Sequence, residues 1–135
     1  MNYNELTRRY FESAANVGEL TGAGVFRGAA GSQTLGTWVQ FDLQINAGAV
    51  SAARFLAFGC PHTIAVSAWL AEQAVGHAVK PQLPEGVQGL RDRFAVPVEK
   101  MGRLLIIEDA WLAAAAAAAA ALEYGENTHI SRLTK

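Results

Sequence analysis

The sequence predicts an α+β fold, a small antiparallel sheet of about three strands with helices packed on one face. Three observations lead there. Thr37 to Asn46 alternates Val39, Phe41, Leu43 and Ile45 with Gln40, Asp42 and Gln44, the period-two pattern of a half-buried strand. After Gly59 the period becomes helical, with Ile64, Ala68, Ala71 and Val75 on one face. Strand-like segments also come first and helix-like ones afterwards, whereas parallel βαβ units would interleave them. The 135 residues, 51% hydrophobic and 17% charged, suit one domain over residues 1–125. The polar tail over 126–135 is expected to be flexible.

Taken in order, Asn4 is a suitable N-cap for a helix from about Glu5 to Ala14, with Leu6, Tyr10 and Phe11 turned inward. Asn16 to Gly24 reads as loop. Glycines recurring at 28, 31 and 36 are too frequent for a helix, and a strand around Gly24 to Ala30 would complete the sheet. Trp38 is the one large apolar residue on the polar side of the central strand. Asn46-Ala47-Gly48 is a turn signal, and Ala49 to Phe58 is the partner strand of a hairpin. Pro61 suits the first turn of a helix over His62 to Val75, which Gly76 ends. Lys80 to Pro84 is a connector and Val87 to Phe94 a short helix. Val96-Pro97-Val98 should be extended, because the residue before a proline avoids helical geometry. The last helix should run from Lys100 or Leu104 to Tyr124 and stop at Gly125. Its alanine run, Ala113 to Ala121, combines high helix propensity with a thin, smooth face.

Composition excludes several function classes. Eleven basic against twelve acidic residues leave a net charge of −1, without the basic excess of a nucleic-acid surface. Leu104 to Leu122 has about the length of the shortest membrane spans. Glu108 and Asp109 interrupt it, however, and alanine is only weakly apolar, so a helix of a soluble protein is expected. No apolar stretch follows Arg8 and Arg9, so no secretory leader is expected and the cytoplasm is the expected compartment. A single cysteine, Cys60, leaves no intrachain disulfide and no site needing several thiolates from one chain.

Cys60 precedes a helix whose unpaired amides and positive dipole end favour a thiolate, and His62 lies in the first turn. A Cys-x-His pair at a strand–helix junction can bind a metal jointly, or the imidazole can assist the thiol. The same pair also reads as a small buried side chain beside a polar residue at a helix start. His77 reads as an exposed loop residue and His129 as part of the tail. Glu108 and Asp109 are adjacent, diverge around the helix and make no acid/base pair. No phosphate-binding glycine loop and no nucleophile elbow is present, and no enzymatic activity is expected.

Several strings together resemble the iron–sulfur cluster assembly scaffold family, the IscU proteins and the N-terminal domain of NifU. Phe11-Glu12-Ser13-Ala14-Ala15-Asn16-Val17-Gly18 is similar to the family's Tyr-Glu-Asn-Pro-Arg-Asn-Val-Gly, and Ala53-Arg54-Phe55-Leu56-Ala57-Phe58-Gly59-Cys60 to its Ala-Arg-Phe-Lys-x-Tyr-Gly-Cys. Ile64 to Ala68 continues the second match, while Lys100 and Ile107-Glu108-Asp109-Ala110 resemble the family's chaperone-binding lysine and the start of its last helix. The resemblance covers roughly residues 3 to 124 and implies an IscU/SufE-like fold.

The resemblance also implies what is missing. The family assembles a transient [2Fe–2S] cluster on three cysteines, helped by an aspartate and a histidine. In register with it, Cys60 keeps one cysteine, Leu35 replaces another, Thr37 replaces the aspartate, and Gly102 and Arg103 stand where histidine and cysteine are expected. For the family's Leu-Pro-Pro-Val-Lys, which a DnaK-type chaperone binds, this chain has Val96-Pro97-Val98-Glu99-Lys100, so Val96, Pro97, Val98 and Lys100 are the expected partner-binding residues. The expected function is an accessory or regulatory paralogue that binds assembly partners, a cysteine desulfurase and a DnaK-type chaperone, without the three-cysteine cluster. No resident cofactor is expected under that reading. One alternative is a homodimer in which Cys60 and His62 of both chains hold [2Fe–2S] or zinc. Another is a single-thiol persulfide carrier at Cys60.

Overall fold

The computed structural model describes residues 3–134, with side chains described for residues 3–122. The elements follow in the order α1 (Glu5–Glu12), β1 (Val25–Ser32), β2 (Thr37–Asn46), β3 (Ala49–Phe58), α2 (Pro61–Ala74), α3 (Gly86–Phe94), a 3-10 turn (Val98–Lys100) and α4 (Met101–Thr134). The three strands form one antiparallel sheet in the order β1-β2-β3. Helices cover one of its faces, as the order of sequence patterns predicts.

The central strands form where alternation places them. Val39, Phe41 and Leu43 of β2 are fully buried, and Phe55 and Ala53 stand opposite Phe41 and Leu43 on β3. The β2–β3 turn has positive φ at Ala47 and Gly48, the backbone twist that a tight hairpin demands. The register slips between Gln44 and Ile45, so the hairpin end carries a bulge. β1 extends to Ser32, beyond the Ala30 expected from sequence, because its pairing with β2 continues to Ser32↔Thr37.

Gly28 of β1 explains how α4 sits on the sheet. A Cβ built there would lie 2.1 Å from the Ala114 backbone nitrogen and 2.6 Å from the Ala110 carbonyl oxygen. Glycine on the strand and alanine on the helix therefore let two backbones approach more closely than larger side chains allow. Ile107, Ala110, Trp111, Ala114 and Ala118 form the buried stripe of α4, and the Trp111 ring meets Phe41 edge to face. Val98–Leu122 is long and apolar enough to cross a membrane by length and composition, and this stripe packs against the sheet. The backbone of α4 continues past Gly125 to Thr134, so Gly125 does not act as the expected stop. One glycine inside a helix costs only about 1 kcal/mol and does not end it. His129 and the expected tail fall outside the residues whose side chains are described.

α1 begins where expected, with the Asn4 side chain accepting the Thr7 amide at 2.8 Å. It ends at Glu12, however, and Phe11 is 41% exposed, a correction to the inward placement. Tyr10 and Thr7 take the inner positions: the Tyr10 hydroxyl donates to Glu72 of α2, and the Thr7 hydroxyl to the Phe94 carbonyl. Since α1 covers α2 from outside, α2 is buried on most sides and has no clear polar face, and Val75 lies beyond its end, 45% exposed. The second face of the sheet also departs from the simple pattern. Asp42 is fully buried there, accepting hydrogen bonds from Arg27, the Leu20 amide and Gln40 as the chain after α1 folds across.

Candidate functional site

Cys60 is the N-cap of α2, with extended backbone geometry and Pro61 in the first helical turn. Its thiol is half-buried, with Sγ 3.6 Å from the Thr63 hydroxyl oxygen. The spacing of three residues is the N-cap to N3 relation, so the sequence contained the signal for Thr63. Burial by itself pushes the thiol pKa up. The Thr63 amide and hydroxyl, the His62 amide and the Lys100 charge outweigh it and hold Cys60 below its usual 9.0.

His62 turns inward, 2% exposed, with Nδ1 3.5 Å from the Lys100 ammonium and the Tyr3 ring packed against it at 4.7 Å. An ammonium can only donate, so Nδ1 accepts and Nε2 carries the proton. Nε2 has no hydrogen-bond partner among the described residues. Burial first, then the charges of Lys100 and Arg103, lower the imidazole pKa to about 4 and keep it neutral. Tyr3 also lies under the Lys100 ammonium, 5.3 Å from ring centroid to Nζ. Sequence reasoning missed Tyr3 and treated Lys100 as an outward-facing residue.

The positions where the resemblance expects lost ligands do come together. Leu35, Thr37, Gly102 and Arg103, with Glu99 and Ile106, line a notch of about 250 Å³. Thr37 begins β2 beside Trp38, whose partner Phe58 leads into Cys60, so the notch and the thiol share one end of the sheet. Leu35 projects at the β1–β2 turn, 69% exposed, whereas Thr37 is buried. In the expected partner-binding segment, Val98 is 76% exposed, but Val96 and Lys100 are buried and Pro97 half-buried. Val98 also begins the 3-10 turn instead of continuing an extended segment, because Pro97 is extended and the chain turns directly after it into α4. Of the four residues, then, Val98 is the one that offers a broad outward surface.

The donor set does not fit a zinc ion or a [2Fe–2S] cluster held by one chain. Cys60 is the only thiol, and no three His, Cys, Asp or Glu side chains among the described residues converge as metal ligands. His62 directs one ring nitrogen at a cation and buries the other, so it does not project toward a second chain. A larger cavity of about 840 Å³ lies at the opposite end of the sheet, beside Val50, His77 and Trp111. Leu43, Val50, Leu83 and Trp111 form its apolar floor and are themselves nearly closed to water. The chemistry concentrates at the Cys60 end.

Comparison with known proteins agrees with this fold. The family model described as NifU-like N terminal domain matches residues 2–129. The iron-sulfur cluster assembly protein IscU of Plasmodium falciparum (isolate 3D7) is 26% identical over 111 residues, spanning 81% of this chain and 68% of that protein. Among solved structures, a putative iron-sulfur cluster assembly scaffold protein for the SUF system from the thermophile Fervidobacterium islandicum AW-1 superposes with a TM-score of 0.67 at 14% identity, over 86% of this chain and 96% of the other. The N-terminal part of a nitrogen-fixing NifU-like protein from Brucella abortus gives 0.61 at 15% identity, over 82% and 90%. At such identities these two structures speak for the fold.

Proposed function

The chain belongs to the NifU-like N-terminal domain family, an iron–sulfur cluster assembly scaffold family, and we propose that within it this protein is an accessory member that engages assembly partners without building a cluster on its own side chains. The supporting observation is the notch, where Leu35, Thr37, Gly102 and Arg103 meet at the same end of the sheet as Cys60 and present no thiolate, carboxylate or imidazole among them. Leucine and glycine bring no donor, and the arginine brings a permanent cation. The partners the family resemblance implies are a cysteine desulfurase and a DnaK-type chaperone, the latter with Val98 as its contact.

Anaerobic incubation with ferrous iron and sulfide, followed by desalting, tests the proposal. The expected product holds far less than one iron per chain and shows no charge-transfer bands, while the immobilised protein retains a cysteine desulfurase. A stoichiometric cluster, or retention of neither desulfurase nor chaperone, would overturn it.

A second reading is favoured by the place of Cys60 at the N-cap of α2, its Sγ 3.6 Å from the Thr63 hydroxyl, a setting that lowers the thiol pKa. In it the Cys60 thiolate attacks the terminal sulfur of a desulfurase persulfide. A new S–S bond forms at Cys60, the old one breaks, and the desulfurase cysteine leaves as a thiolate. Mass spectrometry after incubation with desulfurase and cysteine would then show a gain of about 32 Da, one sulfur atom, absent in Cys60→Ala. No gain would dismiss this reading.

A further inference from the structure

Two side chains able to donate hydrogen bonds line the notch from different elements. Arg103, in the first turn of α4, makes no hydrogen bond or ion pair among the described residues, and its Nε is shut off from water as well. Thr37, at the start of β2, is 2% exposed and lines the same space, and its hydroxyl likewise has no partner among the described residues. Leu35 and Ile106 supply apolar walls. Lys100, buried in the adjoining turn, and Arg103 both act on His62, so positive charge prevails in this region, with Glu99 exposed as the acidic member of the rim.

We propose that the notch is a binding site for a small carboxylate, its two oxygens taken by the Arg103 guanidinium and the Thr37 hydroxyl and its short aliphatic body held between Leu35 and Ile106. A planar guanidinium matches the two oxygens of a carboxylate, and charge-assisted hydrogen bonds of that kind are the strongest a side chain offers. The volume suits a body of a few carbons and is too small for a drug-sized ligand. Arg103 is half-buried and has no acceptor among the described residues, and a carboxylate entering the notch would supply one to the guanidinium. The inference rests on the reading that no cluster occupies this end of the fold. A cluster formed in the reconstitution above would defeat that reading, whereas absent carboxylate binding would defeat only this proposal.

The test is an NMR titration of the full chain, following the Arg103 Nε–H and the amides of Thr37 and Gly102. The probes are sodium propionate, inorganic phosphate, and a short peptide with either a free or an amidated C-terminus. Propionate should give saturable shifts confined to the notch. Arg103→Gln should weaken binding at least tenfold, Thr37→Val severalfold, and Glu99→Gln should tighten it by removing the rim charge. Leu35→Trp, a change at an exposed turn that leaves the fold intact, should block the notch. A free-acid peptide binding tenfold tighter than propionate, with the amidated one inert, identifies a chain terminus as the source of the carboxylate. Equal affinity identifies a free acid. Linear shifts spread over the surface, unchanged binding in Arg103→Gln, or phosphate binding as tightly as propionate would overturn the proposal.

Discussion

Replacing Gly28 by alanine tests how α4 is seated. The added methyl would lie 2.1 Å from the Ala114 nitrogen and 2.7 Å from the Ala113 carbonyl carbon, against an ordinary contact that begins at 3.4 Å. Helix and strand must therefore separate locally by about 1.3 Å, the difference between 3.4 and 2.1 Å. The obstructing atoms are backbone, so no rotamer change relieves the clash. Opening a packed layer by 0.5–1 Å already forfeits roughly a quarter to a half of each dispersion contact. Ile107, Ala110, Trp111 and Ala114 all face that layer. The expected cost is about 3 kcal/mol, the upper end for overpacking, or a fall in Tm of roughly 10 °C for a chain of this length. Gly102 serves as the control, because a Cβ there meets nothing within 4 Å. In a helix, Gly102→Ala should be neutral or stabilising by up to ~1 kcal/mol. Urea denaturation of both variants decides the matter. A Gly28→Ala protein within 0.5 kcal/mol of wild type would refute the close-approach argument.

Three further outcomes follow from the site and the sheet. His62 titrates lower in the folded chain, at about 4 against an ordinary 6.5, so it contributes stability above 6.5 that is lost as pH falls from 6.5 toward 4. That loss is on the order of 3 kcal/mol; denaturation midpoints measured from pH 7 to 4 should show it in wild type and much less of it in His62→Gln. For Asp42, burial alone would raise the pKa, yet Arg27, the Leu20 amide and Gln40 hold it below its ordinary 3.8. Its contribution is therefore present above 3.8 and lost as pH falls through the depressed folded value. Asp42→Asn should cost about 2–4 kcal/mol at pH 7 by leaving its partners underfilled, and its acid transition below pH 4 should be shallower. For Cys60, iodoacetamide alkylation followed by mass should show a midpoint below pH 9, and Thr63→Val should slow the reaction at pH 7 by roughly threefold. An alkylation profile unchanged by Thr63→Val would show that the hydroxyl does not support the thiolate.

Part of this structure is legible in the chain because local physics decides it. The alternation around Phe41 locates β2 and β3 to the residue, and Asn46-Ala47-Gly48 marks the hairpin. Asn4 and Pro61 mark two helix starts through capping and fixed φ. The family resemblance also grouped Leu35, Thr37, Gly102 and Arg103, and the fold places all four around one notch. Periodicity failed where an element is enclosed on several sides. α2 lies between β3 and α1, so its buried positions do not form one stripe, and Val75 fell outside. Asp42 looked solvent-facing until the chain after α1 crossed over it.

The sequence by itself determined the strand pairing and the helix starts, because these depend on side-chain type and spacing along the chain, whereas the standing of Cys60 as one of three expected cysteines came from the family resemblance. Tertiary structure alone decided that Lys100 and His62 point inward beneath Tyr3, that Arg103 and Thr37 line one notch, and that Gly28 admits α4. Each of those depends on which surfaces meet between segments far apart in the chain, where burial and neighbouring charge are set by the partner and not by local sequence.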